Sequence, residues 1–142
     1  MLEVEVLGAD VLAGESAPAL RSCGAELPAI AEVRRLCVLA AASAGVRDGH
    51  LAVEFVDVQR ITALNTEYRR QPTPTDVLSF PVDGVEPIGA RELGDVIICP
   101  QHTADVREAI VHGVLHLVGM DHETDDGEML TLQHELLARQ RR

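Results

Sequence analysis

Lysine is absent from the 142 residues. All 12 basic side chains are arginine, and 23 acidic ones outweigh them to a formal charge of −11. Aromatics are scarce as well: Phe55, Tyr68 and Phe80 are the whole set. An acidic chain without an extended basic field is not built to coat duplex nucleic acid, so no DNA partner is expected. Three aromatics cannot furnish the row of stacking platforms that a general single-strand binder uses. No apolar run reaches the roughly 20 residues of a membrane span, so no membrane partner is expected. Glu3, Glu5, Asp10 and Glu15 precede the first arginine at position 21, the reverse of a secretory signal. Cys23, Cys37 and Cys99 are odd in number and far apart, which argues against a disulfide framework or a paired-cysteine zinc site. Reduced thiols and a cytoplasmic location are the expectation. The missing lysine is read as GC-rich coding that favours arginine.

What is present is enough for a core. Hydrophobic residues make up 46% of the chain, and this length buries a core without covalent staples. Residues 2–7 (LEVEVL) alternate apolar and acidic, as a half-buried strand does. Pro28 opens a helical stripe of Ile30, Val33, Cys37, Ala40, Ala41 and Ala44, with Gly45 at its C-cap. Leu51, Val53 and Phe55 alternate as a second strand, and Asp57 is placed to cap a helix that runs to about Tyr68. Residues 76–82 and 94–99 read as two more strands. A helix is expected over 103–118, stopped by Gly119, and a last one from about 125 to the arginine-rich end. Residues 1–142 are therefore expected to form one α+β domain, with a sheet of about four strands packed with helices.

The chemistry concentrates in His112-Gly113-Val114-Leu115-His116-Leu117-Val118-Gly119-Met120-Asp121-His122. Histidines four apart share one helical face, so His112 and His116 can point at one ion. Gly119 ends the helix and lets His122 return as a third ligand. Three ligands leave one tetrahedral position for water, the pattern of catalytic zinc, although nickel or cobalt would also suit. The zinc-protease motif H-E-x-x-H-x-x-G-x-x-H has the same spacing, but its glutamate base is replaced here by Gly113. A positioned base is worth about 10²–10⁴-fold, so peptide hydrolysis is demoted in favour of attack on phosphorus.

This stretch, with LNTEYRR at 64–70, TDVLSFP at 75–81 and LGDVII at 93–98, resembles the YbeY family of bacterial ribosomal RNA maturation factors. The resemblance implies a zinc-dependent, single-strand-specific endoribonuclease that acts in maturation of small-subunit ribosomal RNA and in ribosome quality control. Its implied partners are single-stranded RNA, ribosomal RNA and the ribosome or its associated proteins. By position it implies His112, His116 and His122 as ligands of one zinc ion and Arg69 as the catalytic, phosphate-facing arginine. Alone, Arg69 reads as a solvated arginine at a helix end. The guanidinium fork nevertheless matches phosphate oxygens in a way lysine does not. Only the 12 residues 100–111 separate Cys99 from His112, fewer than the resemblance leads one to expect. A full extra helix is thereby reduced to a loop plus the start of the motif helix.

Other residues have plainer readings. Asp121 is a hydrogen-bond partner of a ligand imidazole or a turn residue. Asp76 and Asp95 are expected at strand openings, Phe80 in the core, and His102 and His134 on the surface. The attacking nucleophile is left open between a zinc-bound hydroxide and the RNA 2′-hydroxyl. Two rival functions remain: a non-catalytic ribosome-assembly factor with a structural zinc, and a different metallohydrolase such as a peptidase or esterase.

Overall fold

The computed structural model describes residues 2–8, 28–82, 92–119 and 127–140. They form strand β1 (Leu2–Leu7), helix α1 (Ile30–Ser43), β2 (Gly49–Phe55), α2 (Val58–Arg69), β3 (Val77–Pro81), β4 (Glu92–Ile98), α3 (Val106–Leu117) and α4 (Glu128–Gln140). The sheet order is β1-β2-β4-β3. β1, β2 and β4 run parallel, and β3 returns antiparallel along β4. The expected α+β class with a four-stranded sheet is the observed one.

Alternation in the strands assigns the helices to faces. Leu51, Val53 and Phe55 of β2, with Val96 and Ile98 of β4, join the buried apolar residues of α1, α3 and α4 in the main core. Leu78 and Ile97 point the other way, where α2 supplies Ile61 and Leu64 to a smaller cluster that also holds Val56 and Cys99. Thus α2 lies across the sheet from α3. Both described cysteines, Cys37 and Cys99, are buried and free. Burial pushes the Cys37 thiol up to about 12, which removes it from thiolate chemistry. No helix among the described residues is long and apolar enough to cross a membrane.

Local chemistry explains most boundaries. The Asp57 side chain accepts from the Arg60 amide at 2.8 Å and caps α2 as expected. Gly45 follows the end of α1, its amide donating to the Ala42 carbonyl. Three boundaries differ from the sequence reading. β4 starts at Glu92, paired with His50 before a bulge, so Asp95 lies in mid-strand and does not open it. The motif helix starts at Val106 and not 103, because Pro100–His102 forms a single 3-10 turn and Asp105 then caps α3 by accepting from the Glu108 amide. α4 starts at Glu128, a few residues later than expected. The short connection after Cys99 is thus that one turn plus the cap, with Thr103 Oγ1 donating to the Cys99 carbonyl at 2.6 Å.

One ion pair ties α1 to the start of α3. Arg107 donates from Nε to Glu32 Oε2 at 2.8 Å and from Nη2 to Oε1 at 2.9 Å. Both side chains are about three-quarters covered, at 28% and 23% exposure. The Arg107 hydrogen bond holds the Glu32 carboxyl below the usual carboxylate range, against an opposing push from burial. A depressed carboxyl contributes stability above its unfolded pKa and loses it as pH falls through its folded value. Arg107→Met should therefore cost on the order of 1 kcal/mol near neutrality. The gap to wild type should begin to shrink below about pH 5 and close at lower pH. Urea unfolding midpoints across that range test this, and a gap independent of pH would assign the contact to packing alone.

Candidate functional site

α3 buries Ala109, Ile110, Val114, Leu115 and Leu117, and its half-buried flank carries His112 and His116 one turn apart. Their ring centroids are 4.7 Å apart and their planes 75° from parallel. The two Nε2 atoms stand 3.2 Å apart. On its far side, His112 Nδ1 is 2.8 Å from Oε1 of Gln133 in α4. An amide oxygen only accepts, so the imidazole proton belongs on Nδ1 and the lone pair on Nε2. Either His116 donates Nε2–H to that lone pair, or both nitrogens turn lone pairs on one cation. Zinc–nitrogen bonds of about 2.0–2.1 Å at a tetrahedral angle place two nitrogens about 3.3 Å apart, so the pair fits a shared zinc. α3 ends with the Gly119 amide donating to the His116 carbonyl, and Gly119 takes φ +101°, where a side chain would be strained. Asp121 and His122 lie outside the described residues, so the structure brings together two of the three histidines expected at the metal.

Gly113, about 100° round α3 from His112, faces the sheet. A Cβ built there would lie 2.5 Å from Val96 Cγ1 and 3.3 Å from Ser79 Oγ. The missing glutamate thus has a steric reason as well as a chemical one: the position faces packed strands, and no side chain fits. Ser79 Oγ donates to the Gly113 carbonyl at 3.4 Å.

A cavity of about 850 Å³ opens beside the imidazoles. Arg69, Asp76, Ser79, Thr103, Asp105 and Glu108 share its lining with His112 and His116. Arg69 reaches it from the last turn of α2, and no carboxylate among the described residues pairs with it. The chain turns sharply there. Arg70 is left-handed at φ 56°, and the Gln71 amide donates to the Asn65 carbonyl. Asn65, 1% exposed, donates from Nδ2 to the Thr73 carbonyl at 2.8 Å. It clamps the loop that leads from α2 into β3. Tyr68 is 59% exposed and meets Phe80 edge-on, with ring centroids 4.9 Å apart. Phe80 packs half-buried on the α2 side.

The acidic residues divide by role. Asp76 Oδ1 accepts from the Val77 amide at 2.8 Å, the turn role expected of it, although it also lines the cavity. Asp105 caps α3. Asp95 points to the other sheet face, away from the histidines. His102 and His134 are exposed, as expected. The sequence places Asn65 in the Asn65–Tyr68–Arg69 motif and Gln133 four residues after Met129 but gives neither a role, and both organise the site. Each is a polar side chain at a buried position of an otherwise apolar helix stripe, which is the signal that marks them.

A family model described as Endoribonuclease YbeY matches residues 28–141. Endoribonuclease YbeY of Bacillus cytotoxicus is 41% identical, covering 74% of this chain and 82% of the relative. That of Bacillus licheniformis is 40% identical, covering 78% and 84%. That of Kineococcus radiotolerans is 38% identical, and this chain spans 62% of its length. Among solved structures, the solution structure of TM1509 from Thermotoga maritima is similar with a TM-score of 0.52 and 24% identity, covering 94% of this chain and 86% of that one, a likeness of fold.

The close approach at Gly113 can be tested directly. In an exposed helix, Gly→Ala gains about 1 kcal/mol. Here Gly113→Ala should instead destabilise by about 1–3 kcal/mol, because Val96 is stiff at χ1 and cannot swing aside. Guanidinium unfolding checks the sign, and adding Val96→Ala should recover part of the loss. A more stable single variant would contradict the packing.

Proposed function

Because the chain belongs to the YbeY endoribonuclease family, we propose that it is a zinc-dependent endoribonuclease that cuts single-stranded RNA in maturation and quality control of small-subunit ribosomal RNA. One observation carries this reading: Arg69 and the His112–His116 pair come from helices on opposite sheet faces yet line one cavity. His112 and His116 would hold the metal through Nε2, with His122 as the third ligand. Bound there, zinc supplies Lewis acidity and positive charge beside the phosphate.

The chain's own groups do the rest. Arg69 presents its fork of N–H donors to the non-bridging oxygens of the scissile phosphodiester, which orients the phosphorus and offsets charge that builds up during displacement. No ion pair to Arg69 among the described residues engages that fork. Carboxylates of Asp76 and Asp105 accept from backbone amides, and with Glu108 they line the cavity without pairing with Arg69. The steric closure at Gly113 removes the base a peptidase would use, which favours phosphodiester over peptide chemistry.

The acidic total sets how RNA is held. With about two phosphate contacts, from Arg69 and Arg70, the salt slope is about −1.4, a loss of only about sevenfold over a fourfold rise in salt. Guidance to the right RNA then falls to the ribosome or an associated protein.

The purified protein should hold about one zinc per chain, with His116→Ala losing it, because three protein ligands complete one tetrahedral site. Chelator should abolish cleavage of single-stranded ribosomal RNA. Arg69→Ala should slow cleavage by about 10²-fold or more, with an unchanged melting temperature because the side chain is exposed. Metal-replete protein that leaves such RNA intact, where a control nuclease cuts it, would sink the enzyme. Full cellular function with Arg69→Ala would favour an assembly factor with a structural zinc.

A further inference from the structure

α4 docks on the core through Met129, Leu136 and Leu137, which are 0%, 1% and 5% exposed. Gln133 stands in the same stripe, four residues after Met129 and three before Leu136, and is 8% exposed. Fold stability alone favours an apolar residue at such a position. A buried amide without partners costs about 1–3 kcal/mol, and an apolar isostere in its place is often neutral or better. What Gln133 has instead is the imidazole of His112, with its Oε1 2.8 Å from Nδ1.

We infer that Gln133 is a positioning residue for the metal site: its amide oxygen accepts the His112 Nδ1–H, holds the ring's rotation, and keeps the Nε2 lone pair directed toward His116 Nε2. This rests on the reading of His112 and His116 as metal ligands. The chemistry is general. A ligand imidazole performs best when its second nitrogen donates to a fixed acceptor, which sets the tautomer and raises the basicity of the first. Here the acceptor arrives from a separate helix, so docking of α4 and readiness of the site are one event. α4 thereby does more than cover the core, because it carries the atom that determines which nitrogen of His112 is bare.

Three proteins distinguish this from a packing role, with zinc affinity read by competition against a chelating chromophore and no RNA present. Gln133→Leu should bind zinc about 10–100-fold more weakly, while its metal-free form unfolds at the same denaturant concentration as wild type or a higher one. Gln133→Glu keeps an acceptor oxygen and should match or exceed wild-type affinity. Cobalt-substituted Gln133→Leu should show a changed visible spectrum, whereas Gln133→Glu should resemble wild type. If Gln133→Leu fails to fold, long-range proton–nitrogen correlation on the metal-free wild type reads the tautomer directly, and the proton should be on Nδ1. Unchanged zinc affinity in Gln133→Leu overturns the inference, as does Gln133→Glu binding no better than Gln133→Leu, or a bare Nδ1 on His112. Wild type that binds no zinc overturns this inference and the metal-dependent function together. Wild type that binds zinc but cuts no RNA overturns the function alone, with the affinity ranking still deciding the role of Gln133.

Discussion

The distance between α3 and the sheet is the constraint on which the rest of the site depends. Gly113 meets Val96 so closely that even a methyl group would collide, and the helix settles onto β3 and β4 at that point. A helix turns about 100° per residue, so a glycine pressed against the strands places its neighbour His112 on the flank and not in the core. His116, one turn on, follows it along the same flank. A larger residue at 113 would lift both imidazoles away from β3 and from α4. The motif's most conspicuous gap, read against a protease, is thus the feature that lets its histidines stand where they do.

Two further contacts bring the remaining groups to that flank from opposite directions. Asn65 ties α2 to the loop before β3, so Arg69 is held at the cavity edge although its helix packs on the other face of the sheet. Gln133 comes from α4, beyond α3, and meets His112 from behind. Both are buried amides inside apolar stripes, and both use that costly placement to hold something in register. The Glu32–Arg107 pair does similar work further out, fixing the start of α3 against α1.

Charge is distributed unevenly over this frame. On the α2 side of the sheet, Glu5 and Glu92 surround His50, with the Glu92 carboxylate 2.6 Å from His50 Nδ1. That hydrogen bond holds the His50 imidazolium above its ordinary range. The cavity wall mixes the two imidazoles and the Arg69 guanidinium with the carboxylates of Asp76, Asp105 and Glu108, and no carboxylate among the described residues pairs with Arg69. Against a net charge of −11, the cavity offers an anionic substrate the Arg69 guanidinium beside the histidine pair.

The sequence by itself determined the class of fold, because alternation at 2–7 and 51–55 and the helical stripe from Ile30 to Ala44 are local patterns tied to backbone geometry. It also determined the histidine pair on one helix face, since a four-residue spacing is a local property too. Asp57 as the cap of α2 was legible for the same reason, and so was the end of α1 near Gly45, which follows the Ala44 cap. Boundaries failed where a distant partner intervened, as at β4, whose start is set by pairing with β2 across a bulge. Only the tertiary structure decided that Arg69 shares a cavity with His112, that position 113 faces packed strands, and that Gln133 serves the imidazole. Each of these is a meeting of residues far apart in the chain, and such meetings depend on which faces of the helices are buried together, which no local spacing encodes.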